Sequence, residues 1–132
     1  MTDQKIIAFV VRLPIAISFL GHGLVRLPKL HAFALNMAQQ FADTPLPQGV
    51  VFAFGYILVF SEFITGVWLI SGRWFSQALI TGLVIMTLLI FGSSLIENWN
   101  AVSVQLIHSI YLGGLLLCYQ YSAKPRGAAN TY

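Results

Sequence analysis

Between residues 12 and 29 the chain reads RLPIAISFLGHGLVRLPK, an apolar stretch that carries Arg12, His22, Arg26 and Lys29. A guanidinium can hold an anion. An imidazole can ligate a metal, move a proton or donate a hydrogen bond. On an ideal helix at about 100° per residue, counted from Arg12, Arg26 falls near −40°, His22 near −80° and Lys29 near −100°. These groups share one arc of about 100°. Ile6, Leu13, Ile17, Leu20 and Leu24 make an apolar arc opposite them. The run 6–27 is long enough to cross a bilayer, so an ionisable stripe on one side of it must face other protein.

A second histidine stands at a matching position. His108 lies six residues from the outer end of the run 102–121, and His22 lies five from the outer end of the run 6–27. The two are expected at one depth, with His31, Gln105, Tyr111 and Glu97 on or near that side. Histidines paired in this way can ligate a haem or a metal, or hydrogen-bond a quinone carbonyl. Arg26, one turn after His22, repels a bound cation and suits an anion or a polarised carbonyl. A metal or haem is therefore not expected. The candidate pocket residues are His22, Arg26, Gln105 and His108, around an anion or a polarised carbonyl such as that of a quinone. The plainer alternative is a pair of core histidines satisfied by Gln105, Glu97, Tyr111 or backbone.

Two further charges lie deep in apolar runs. Arg12 is six residues from the inner end of the first run, and Glu62 is eight from the inner end of the run 50–70, which goes the opposite way. At the helical rise their Cα depths differ by about 3 Å. A lone ion at such depth costs roughly 3 kcal/mol on insertion scales. An Arg12–Glu62 ion pair is therefore expected, as a bridge that sets how the first two spans pack, or less simply as a proton or ligand site.

The elements that must position these groups follow from composition. Of 132 residues, 58% are hydrophobic and 8% charged, against about one quarter charged in an ordinary soluble domain. The expectation is a single all-α membrane domain, a four-helix up-down bundle with spans 6–27, 50–70, 75–96 and 102–121, in contact with the lipid bilayer. Residues 29–41 read as an amphipathic helix at the interface, from Leu30, Phe33, Ala34, Met37 and Phe41. A polar tail is expected over 122–132. Gly21, Gly23, Gly55, Gly66, Gly82, Gly113 and Gly114 read as points of close helix contact. The seven Lys and Arg are scattered at span ends and form no nucleic-acid face. The single cysteine, Cys118, excludes an internal disulfide or a CxxC relay. Lys5, Arg12, Arg73, Lys124 and Arg126 fall on one side, Arg26, Lys29, Asp43 and Glu97 on the other. Both termini are expected in the cytoplasm by the positive-inside rule.

Several segments resemble the DoxX/DoxD-like family of small bacterial membrane proteins. They are Arg12-Leu13, residues 19–27 (FLGHGLVRL), Leu46-Pro47, residues 62–66 (EFITG) and residues 69–72 (LISG). The likeness covers roughly residues 6–96. Arg26 stands where a lysine is commoner, and the tail lacks the Gly-rich Ser-Leu-Asp ending of many members. The resemblance implies a four-helix membrane bundle tied to respiratory redox chemistry, such as the membrane subunit of a thiosulfate:quinone oxidoreductase or a partner in oxidative-stress complexes.

Three functions compete. One is a quinone-facing or auxiliary subunit of a membrane redox system, working with other redox subunits. Another is a non-catalytic anchor or assembly partner. The third is a small-solute transporter, which at this length has to form a homo-oligomer and for which no inverted repeat is visible. No nucleophile–base arrangement or complete metal motif is expected, which favours an auxiliary role over a self-contained enzyme.

Overall fold

A computed structural model describes residues 2–123. The chain forms α1 (Asp3–Arg26), a 3-10 turn (Leu27–Lys29), α2 (Leu30–Gln40), α3 (Gln48–Ser71), α4 (Phe75–Leu95) and α5 (Trp99–Ala123). Four helical stretches are long and apolar enough to cross a membrane, and the architecture is the expected four-helix bundle. Residues 122 and 123 complete α5 rather than opening the polar tail. The rest of that tail, with Lys124 and Arg126, lies outside the described residues.

The helix ends are set locally. Pro14 is tolerated within α1, whereas Pro28 converts the chain to 3-10 geometry at Leu27–Lys29. α3 stops at Gly72, whose left-handed φ of 69° suits a residue without a Cβ, and its N–H returns to the Trp68 carbonyl at 3.2 Å. In the next turn Trp68 Nε1 donates to the Arg73 carbonyl at 2.7 Å.

Glycine contacts set how α1 lies on α3. A Cβ on Gly23 would meet Phe63 backbone and Cβ at 2.7–2.8 Å, and one on Gly66 would meet the Leu20 nitrogen at 2.5 Å. Gly55 approaches the Ala34 Cα less closely, at 3.0 Å from its would-be Cβ. The pairs 20/66, 23/63 and 34/55 follow one antiparallel progression. The amphipathic α2 therefore carries the line of α1 onward beside the outer half of α3, burying Ala34 and Ala38. Not every glycine expected at a contact makes one: an added Cβ on Gly21, Gly113 or Gly114 would meet nothing within 4 Å.

The core runs between the helices through Ile15, Phe19, Leu58, Leu69, Leu79 and Leu112. α4 and α5 pair through Gly82 against Leu112 and through the Phe75 and Tyr119 rings, 5.6 Å apart. α5 is the least embedded helix, and Leu112 is its one fully buried residue. It reaches α1 through polar bonds, the Tyr111 hydroxyl donating to the Val11 carbonyl. Outward faces are apolar, with Ile57, Ile64, Val84, Phe91, Ile107 and Ile110 all well over a third exposed. A surface of this kind is stable against lipid rather than water.

Candidate functional site

The space between α1–α2, α3, α4 and α5 encloses a cavity of about 680 Å³. Its walls are mostly apolar, including Phe33, Met37, Phe54, Leu58, Met86 and Leu89. Its polar lining includes His22, Arg26, Gln105 and His108, so the four residues expected to share a pocket do share one. Exposed residues in the lining, among them Val50, Leu88, Phe91 and Val104, mark its rim.

Each polar side chain is placed by a specific contact. The His22 and His108 rings are 6.1 Å apart between centroids. His108 is held at both nitrogens: Nδ1 lies 2.8 Å from the Val104 carbonyl, and Nε2 lies 2.8 Å from the Ser18 hydroxyl. A carbonyl can only accept, so Nδ1 carries the proton and, in the neutral ring, Ser18 donates to Nε2. Of the partners named in the plainer alternative, backbone is met, at Val104, whereas Gln105, Glu97 and Tyr111 do not bond His108. Gln105 Nε2 instead donates to the Ser93 hydroxyl at 2.9 Å, and Tyr111 bonds Val11. His31 stands apart from the cavity, with Nδ1 3.0 Å from the Tyr56 hydroxyl.

Ser18 was not foreseen. Its position near −120° on the same helical scale extends the α1 stripe by one residue. With His108 it forms a nucleophile–base contact, against the expectation that the chain has none. Ser18 sits inside α1, where the nearby backbone N–H groups are committed to the helix. The pair thus lacks backbone donors for an oxyanion, and its evident effect is to fix the ring.

The expected Arg12–Glu62 pair is not formed. Glu62, only 2% exposed in its side chain, receives Arg26 Nη1 at 2.6 Å. The Arg26 guanidinium also lies over the Phe33 ring, 4.6 Å from its centroid. Arg12 donates through Nη2 to the Ile70 carbonyl at 3.1 Å, between the rings of Phe9 and Phe75. The physical reason is register. The first turns of α1 extend past the end of α3, so Arg12 comes level with the last α3 carbonyls and Arg26 comes level with Glu62. At a helix C-terminus the unpaired carbonyls and the negative end of the dipole stabilise a cation without a carboxylate, although Arg12 Nε is buried with no hydrogen-bond partner among the described residues. Glu62 consequently joins the cavity wall.

The arrangement can hold an elongated apolar molecule by its body and a polar group by its head. Arg26 keeps N–H groups beyond the one given to Glu62, and His22 offers a ring nitrogen of either kind. Among the described residues no three of His, Cys, Asp and Glu gather as metal ligands. Compared with family models, curated proteins and solved structures, the chain matches none of them.

Proposed function

We propose that this protein is a DoxX-like, quinone-facing subunit of a membrane redox system, and that the quinone headgroup sits against His22 and Arg26 in the cavity. The observation that carries the reading is one cavity with an apolar body and a histidine–arginine wall, the combination a prenylated ring requires. His108 acts from behind, because both its ring nitrogens are engaged, and Gln105 shapes the wall beside it. Purified protein is expected to release quinone on solvent extraction and to bind a short-chain quinone saturably. His22→Ala is expected to weaken that binding about tenfold, the effect of one lost hydrogen bond, and His108→Ala, whose ring bonds Val104 and Ser18 rather than the ligand, to weaken it less, both with the fold retained. Absence of both extractable quinone and saturable binding in the wild-type protein would sink the reading.

A second reading, a non-catalytic anchor for partner subunits, is favoured by one observation: α5 buries only Leu112 fully and leaves most of its surface free.

The same proposal places the protein in a bacterial inner membrane with both termini in the cytoplasm. Lys5, Arg12 and Arg73 lie towards one end of the bundle, while Arg26 and Lys29 stand beside the middle of α3 and drop out of the count for the other end. That widens the positive bias. Reporter fusions after Tyr132 and near Gln48 are expected on opposite sides of the membrane, the former cytoplasmic. Both reporters on one side would exclude this topology.

A further inference from the structure

A groove of about 470 Å³ runs along the other side of α1 and is lined by Ser18, Gly21, His22, Arg26, Lys29 and Phe33, among others. We propose that this groove binds an oxyanion, a phosphate or a carboxylate, either free or as the head of an amphiphile. The site is distinct from the quinone cavity, although His22, Arg26 and Phe33 form the wall between them.

Charge is the first reason. Arg26 and Lys29 are cationic, and the carboxylate beside them, Glu62, is taken up by Arg26 Nη1. Lys29 makes no ion pair among the described residues. It follows α1 through the 3-10 turn and, by the progression from Gly23/Phe63 to Ala34/Gly55, stands beside the middle of α3. A cation at that level of a membrane-spanning segment calls for a counter-ion or water. Shape is the second reason. Gly21 opens the floor of the groove, since a Cβ built there meets nothing within 4 Å. Donor chemistry is the third. Lys29 offers N–H donors in any orientation, Arg26 has several beyond the one facing Glu62, and His22 adds a ring N–H. Ser18, whose hydroxyl goes to His108, contributes no donor and bounds the inner end. Donors on three side chains of a lining that holds no carboxylate favour an oxyanion over a cation.

The test uses full-length protein in phosphatidylcholine nanodiscs, with inorganic phosphate and phosphatidylglycerol as separate probes, and two variants that spare the cavity. Lys29→Gln removes one charge and is expected to weaken binding about fivefold. Gly21→Leu puts a side chain into the groove from a position where a Cβ meets nothing within 4 Å, and is expected to weaken binding at least tenfold with a Tm no lower than that of the wild type. Binding of phosphatidylglycerol that inorganic phosphate does not displace identifies a lipid headgroup. Displacement by phosphate identifies a free anion. Either result supports the site. The proposal is overturned if neither probe binds the wild-type protein above the phosphatidylcholine background, or if both variants bind like wild type. Quinone affinity measured on Lys29→Gln is expected to be unchanged, since Lys29 does not line the cavity. Loss of the quinone reading would therefore leave this one standing, and the reverse also holds.

Discussion

Gly66→Leu is expected to abolish stable folding, and Gly66→Ala to cost about 3 kcal/mol or more in apparent unfolding free energy. A Cβ at Gly66 would stand 2.5 Å from the Leu20 nitrogen and 2.8 Å from its Cα. These are backbone atoms of a facing helix, so no rotamer change relieves the overlap and α1 has to move away from α3. Overpacking where only side chains must yield costs about 1–3 kcal/mol, and a displaced helix adds the loss of its neighbours. Gly23→Ala meets Phe63 backbone in the same way and should behave alike. Gly21 supplies the control on the same helix. Gly21→Ala meets nothing, and should be neutral or slightly stabilising, by up to about 1 kcal/mol from the helical preference of alanine. The measurement is denaturant or thermal unfolding in mild detergent. Equal effects at Gly21 and Gly66 would show that the packing of α1 on α3 is not as described.

The contrast between these glycines marks how far the sequence alone could be read. Run length and the near absence of charge make four spans legible, because bilayer thickness and backbone satisfaction impose them on any chain of this composition. The cavity residues were legible too. His22 and His108 fall at one depth counted from the outer ends of their runs, and their ring centroids lie 6.1 Å apart. Run ends do not predict the partner of Arg12, because Ile6 and Ile70 are not level. The level is set instead by which residues let backbones touch, Gly23 against Phe63 and Gly66 against Leu20, and a list of glycines does not say which of them touch. Gly21 and Gly66 look alike in sequence. Ser18 escaped for a different reason: the stripe was drawn from ionisable groups, and a hydroxyl shows its use only when a partner from α5 arrives.

Removing either member of the Arg26–Glu62 pair is expected to cost about 3–5 kcal/mol, the usual penalty for leaving one buried ion without its partner. Glu62 is buried and its bridge to Arg26 is 2.6 Å long. Arg26 also packs over Phe33, so the conservative substitutions Glu62→Gln and Arg26→Gln are preferred to alanine, which would add a cavity term. The double variant leaves two neutral amides within reach of each other and no stranded charge. It should lose little more than either single variant, a coupling energy of at least about 1 kcal/mol. Arg12→Gln supplies the comparison. Arg12 touches the Ile70 carbonyl and two aromatic rings rather than Glu62, so its effect should add to that of Glu62→Gln within about 0.5 kcal/mol. Coupling between Arg12 and Glu62, together with additivity between Arg26 and Glu62, would reverse the register of α1 on α3. The cavity assignment would go with it, because the register is what brings Glu62, Arg26 and His22 to one wall.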